Sequence, residues 1–158
     1  MEKLIMERKA ADNKYLHRDF HVTADQGIRY IGEQFGNDAV VEYLSNYAEK
    51  FYSPLIQEIR EKGLLPLKQY FEKIYLAEEA SEVLTVSMME NALTVQISQC
   101  PAVRFMKSIG HTPCQWYGET VNTVYRVIAE KAGIDFSLSY YEDETGKTEF
   151  SFTRRNAE

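Results

Sequence analysis

The stretch Leu84-Thr85-Val86-Ser87-Met88-Met89-Glu90-Asn91-Ala92-Leu93-Thr94-Val95-Gln96-Ile97-Ser98 decides the fold. Leu84, Val86 and Met88 alternate with Thr85 and Ser87, and Leu93, Val95 and Ile97 alternate with Thr94, Gln96 and Ser98. A period of two sends successive side chains to opposite faces of a strand. The stretch therefore predicts a β-hairpin that turns at Glu90-Asn91 and buries one face.

Toward the C-terminus, a short helix follows Pro101 and ends at Gly110, and a longer one runs from about Cys114 to Ala132 before Gly133. A second hairpin closes the chain, with Phe136, Leu138 and Tyr140 facing inward against Phe150 and Phe152 across the turn Asp143-Glu144-Thr145-Gly146. Toward the N-terminus the period lengthens. Leu16, Phe20, Ala24, Ile28, Ile31 and Phe35 recur at three- and four-residue steps and predict an amphipathic helix from about Asn13 to Phe35. Gly36 stops it, and Asn37 or Asp38 caps a second helix, Ala39 to about Lys62, which Ser53-Pro54 either kinks or divides. Gly63 and Pro66 precede a third, Leu67 to Glu79.

Helical residues 13–80 followed by hairpin, helices and hairpin over 83–155 predict a single α+β domain spanning 1–158. Its N-terminal helices accompany a four-stranded antiparallel sheet, made of the two hairpins and covered on one face by helices. Val121, Val124, Tyr125 and Ile128 mark the obvious cover. A chain of 158 residues buries enough surface to be stable without a structural metal or disulfide.

The formal charge of −6 argues against nucleic acid or an anionic membrane as the main partner, since both need a basic face. No stretch approaches the roughly 18 apolar residues of a membrane span. Cys100 and Cys114 form neither a zinc pattern nor a CxxC motif, and no long apolar run marks a signal peptide. The reading is a cytoplasmic protein with free thiols.

Chemistry points first to His17 and His21, four residues apart on a helix. That spacing stacks the imidazoles closely enough to hold one substrate or one divalent transition metal. Further metal ligands would have to come from elsewhere, such as Cys114, Glu119 or water. Cys100-Pro101 and Pro113-Cys114 put both thiols at expected helix starts, where unpaired amides and the helix dipole favour a thiolate. His111 lies three residues before Cys114 and makes a Cys/His pair conceivable. Trp116, Tyr117 and Glu119 follow, offering aromatic walls and a carboxylate. Asp25 lies near the histidine pair.

The C-terminal half reads Cys100-Pro101-Ala102-Val103, then Gly110, then a helix start containing cysteine and glutamate, then Glu149-Phe150-Ser151-Phe152. Over about Leu84 to Arg155 it resembles the L-2-amino-thiazoline-4-carboxylic acid hydrolase family, small α+β domains with a Cys-Pro element after a strand. Cys100 matches that element. Gly118 stands where the family's second cysteine tends to fall, and the closing strand carries no cysteine.

The resemblance implies hydrolysis of a small carboxylate-bearing heterocycle, a cyclic amidine or amide. His17, His21, Cys114 and Glu119 would be its catalytic candidates, and Cys100, His111, Trp116 and Tyr117 its ligand-binding ones. The alternative is a non-catalytic small-molecule-binding domain of the sensor type, like vinyl-reductase-type domains, with a pocket lined by Tyr47, Phe51, Tyr117 and Tyr125. Acidic, tyrosine-rich helices also allow pairing with a second copy as a homo-oligomer.

Overall fold

The computed structural model describes residues 16–155, with side chains from Phe20 onward. Six α-helices and four strands follow in the order α1 (Leu16–Phe35), α2 (Asn37–Phe51), α3 (Ser53–Lys62), α4 (Leu65–Ala77), β1 (Leu84–Met88), β2 (Ala92–Ile97), α5 (Pro101–Ser108), α6 (Glu119–Ala132), β3 (Ile134–Tyr141) and β4 (Thr148–Arg154). The strands form one antiparallel sheet in the order β1-β2-β4-β3, so the two hairpins join through β2 and β4. This is the expected α+β architecture. Among the described residues no helix is long and apolar enough to cross a membrane.

The pairing register explains why one face is apolar. Met88, Leu93, Phe152 and Phe136 form one row across the sheet, and Val86, Val95, Phe150 and Leu138 form the next. Helices α4 and α6 lie against the sheet. From α4, Leu67, Phe71 and Tyr75 recur every four residues and are buried. The Phe71 ring meets Phe150 at 5.5 Å and Tyr125 of α6 at 5.3 Å, and Tyr125 meets Phe150 at 5.1 Å. Burying each such side chain contributes about 1.5–3 kcal/mol. Val40, Leu44 and Ala48 give α2 a buried stripe of the same period, and α2 packs on α6.

Of the two alternatives at Ser53-Pro54, division holds: the second helical stretch is two helices, parted at Tyr52, with Pro54 in the first turn of α3, where its missing N–H costs nothing. Three expectations are corrected. In α1 the buried face is rotated from the expected stripe: Phe20 and Phe35 are 63% and 68% exposed, while Asp25, Ile28 and Gly32 face the interior.

The other two corrections shape the candidate site. Helix α6 begins at Glu119 rather than Cys114, because residues 115–118 form successive tight turns, with Tyr117 N–H on the Cys114 carbonyl and Glu119 N–H on that of Trp116. Tyr140 faces outward, 47% exposed, because the pairing slips between Leu138 and Tyr140 and leaves Ser139 unpaired. A bulge of one residue inverts the alternation beyond it. It brings Tyr141 to the inner face, opposite the buried Thr148.

Candidate functional site

The loop between α5 and α6 carries most of the residue types that chemistry would use, and its start is fixed by how α5 ends. Gly110 takes φ +78°, its N–H bonds the Lys107 carbonyl, and the His111 N–H bonds that of Met106. This is a Schellman termination, which needs a left-handed residue and so a glycine.

His111 Nε2 then lies 2.7 Å from Oδ2 of Asp25, and the Cys114 N–H donates to Oδ1 at 2.7 Å. Arg29, one turn further along α1, reaches Asp25 Oδ2 at 3.3 Å and donates to the Thr112 carbonyl at 2.7 Å. Asp25 is wholly buried. Burial alone would push its carboxyl up. The Cys114 amide, His111, the Cys114 thiol and Arg29 outweigh that and hold it below the usual carboxylate value.

The same contact decides the thiol. Burial and the neighbouring Asp25 carboxylate push Cys114 up to about 11, so it rests protonated. The expected helix-start activation does not apply, because the helix begins five residues later. Cys100 does sit at the N-cap of α5. Burial nevertheless raises its thiol, against the opposing effect of the Val103 and Ala102 amides. The turn at Gly146, φ +65°, packs directly on Cys100, and the Cys100 N–H bonds the Thr145 carbonyl. Both cysteines are free.

Beyond Cys114 the loop forms one wall of a cleft of about 200 Å³ lined by Asn37, Gln115, Trp116, Gly118, Glu119, Asn122, Leu138, Tyr141 and Asp143. Its two aromatic walls rest on glycines. A Cβ on Gly32 of α1 would stand 2.5 Å from the Trp116 ring, and one on Gly118 would stand 2.8 Å from that of Tyr141. Burial is the main reason the Tyr141 hydroxyl is raised, with Cys100, Asp143 and Cys114 adding through space. That hydroxyl thus lies within electrostatic reach of both thiols. Glu119 accepts Thr123 Oγ1 and the Asn122 amide on the same oxygen, Oε2. Its Oε1 has no partner among the described residues.

Among the described residues, the remaining site candidates do not line this cleft. His21 Nε2 stands 3.0 Å from Oε1 of Glu78 at the end of α4. The side chain of His17 lies outside the described residues, and with it the expected metal-holding pair. Among the described residues no three His, Cys, Asp or Glu side chains are placed to hold a metal ion. Tyr117 is buried, and burial raises its hydroxyl well above the usual value.

The pocket expected from Tyr47, Phe51, Tyr117 and Tyr125 does not form. Tyr47 and Phe51 stack at 5.1 Å on the outside of α2, along an open groove with Tyr43, Asn46 and Lys50, whereas Tyr125 belongs to the aromatic core. Asp25 and Arg29 organise the loop although neither is an evident site residue in the sequence. Their signal is the i,i+4 acid–base spacing on α1. No protein-family model matches the chain, and no curated protein does.

Proposed function

We propose that this domain is a hydrolase of a small cyclic amidine or amide, held in the cleft between Trp116 and Tyr141. The observation that carries the reading is Glu119: a half-buried carboxylate at the head of α6, inside an aromatic-walled cleft, with one oxygen uncommitted. Such a group can take a proton from a water molecule beside the bound ring. The water oxygen bonds to the amidine carbon, its proton passes to Glu119, and the same proton is delivered to the nitrogen that departs when the C–N bond breaks. In this reading the Cys114 backbone N–H fixes the loop on Asp25, and the buried thiol, whose ionisation burial and Asp25 disfavour, is assigned no nucleophilic role. The cyclic amidine class comes from the resemblance of residues 84–155 to the thiazoline hydrolases.

The test is turnover of 2-aminothiazoline and small cyclic amides followed by product mass. The reading expects turnover by the native chain, a loss of at least a hundredfold in Glu119→Gln, and retention in Cys114→Ala. No product from any compound, or full activity in Glu119→Gln, contradicts it.

A second reading, a ligand-binding domain without turnover, is favoured by one observation: both thiols are raised rather than activated. It expects the same compounds to bind and to be recovered unchanged.

A further inference from the structure

The cleft's charges are one-sided. Glu119 and Asp143 line it, and among the described residues no lysine or arginine does. Asp143 has no hydrogen-bond or ion-pair partner among the described residues, and Oε1 of Glu119 has none either. The guanidinium that bonds to a lining residue is Arg126, which reaches Oδ1 of Asn122 at 2.6 Å from the next turn of α6 and lies outside the lining. A ligand carboxylate would meet two negative side chains there and, among the described residues, no positive one in the lining.

The remaining walls suit the opposite sign. The faces of Trp and Tyr rings attract cations through their quadrupoles, and Trp116 and Tyr141 are held in place by Gly32 and Gly118. Asn37, Gln115 and Asn122 add amide groups that can bond to ring nitrogens.

We infer that the cleft selects a flat organic cation, an amidinium or guanidinium without a carboxylate, its charge shared by Glu119 and Asp143 and its plane against Trp116. The inference rests on the cleft proposed above as the binding site. It departs from the carboxylate-bearing ligand that the family resemblance implies.

Trp116 is the chain's single tryptophan, so its emission reports on this cleft alone. Three probes share one ring and differ in charge: benzamidinium, benzamide and benzoate. Titration of the full chain is expected to give a saturable change with benzamidinium, at least tenfold weaker binding of the other two, and at least a tenfold loss in Glu119→Gln/Asp143→Asn. Asp135→Asn, on an exposed position of β3, is expected to leave the titration unchanged. Benzamide or benzoate binding as tightly as benzamidinium, or an unaffected double variant, overturns the cation inference while leaving a small-molecule cleft. A flat response to all three probes overturns both.

Discussion

The Asp25 carboxylate joins two segments 86 residues apart, standing 2.7 Å from the His111 imidazole while accepting the Cys114 backbone N–H on its other oxygen. One buried side chain of α1 thereby sets the path of the loop that carries Trp116, and the rest of the cleft follows from that path. Arg29 completes the arrangement by bonding both Asp25 and the loop carbonyl of Thr112.

Replacing Asp25 with Asn keeps the shape but leaves His111, Arg29 and the Cys114 thiol without their carboxylate. Breaking a buried charge cluster by removing one member costs about 3 kcal/mol or more. The pH dependence has a definite sign. Because Asp25 is held below its ordinary value when folded, its stabilisation is complete above the unfolded value of about 3.9. It is lost as pH falls from there through the lower folded value. Urea unfolding at stepped pH should show the native chain's advantage over Asp25→Asn constant near neutrality and shrinking below about pH 4. A difference that does not change with pH would contradict the assignment.

Gly32→Ala tests the seat of Trp116. In an exposed helix the change would stabilise by about 1 kcal/mol. Here the new methyl meets the indole at 2.5 Å, and such overpacking typically costs about 1–3 kcal/mol. A lower melting temperature with a shifted Trp116 emission maximum is expected. Higher stability with unchanged emission would place the ring elsewhere.

Thiol reactivity tests the state of Cys114. With a value of about 11, roughly one Cys114 in a thousand is ionised at pH 8. Under native conditions a disulfide reagent should modify Cys114 slowly, and both cysteines should react promptly in denaturant. Rapid native labelling located at Cys114 by peptide mass would restore a nucleophilic thiol.

Much of the fold is legible from residue order because alternation and turn chemistry agree over both hairpins. Leu93, Val95, Phe150 and Phe152 fall in the core as their spacing requires. Tyr140 misleads because Phe136, Leu138 and Tyr140 alternate regularly with Ser137 and Ser139, and a single unpaired serine, Ser139, is enough to exchange its place with Tyr141. Asp25 is hidden for a different reason. An apolar count discounts a carboxylate, yet this one is buried because its partners arrive from a loop remote in sequence. Of the chemistry, Trp116 and Glu119 come together in one cleft, whereas His21 bonds Glu78 and Cys100 packs under the Gly146 turn, and neither lines that cleft.

The most direct test of the cleft as the working site is backbone amide NMR during titration with 2-aminothiazoline. Shifts concentrated at Gln115, Trp116, Gly118, Glu119, Asn122, Tyr141 and Asp143 are the predicted result. Shifts confined to the Tyr43–Phe51 groove of α2, or none at saturating ligand, would contradict it.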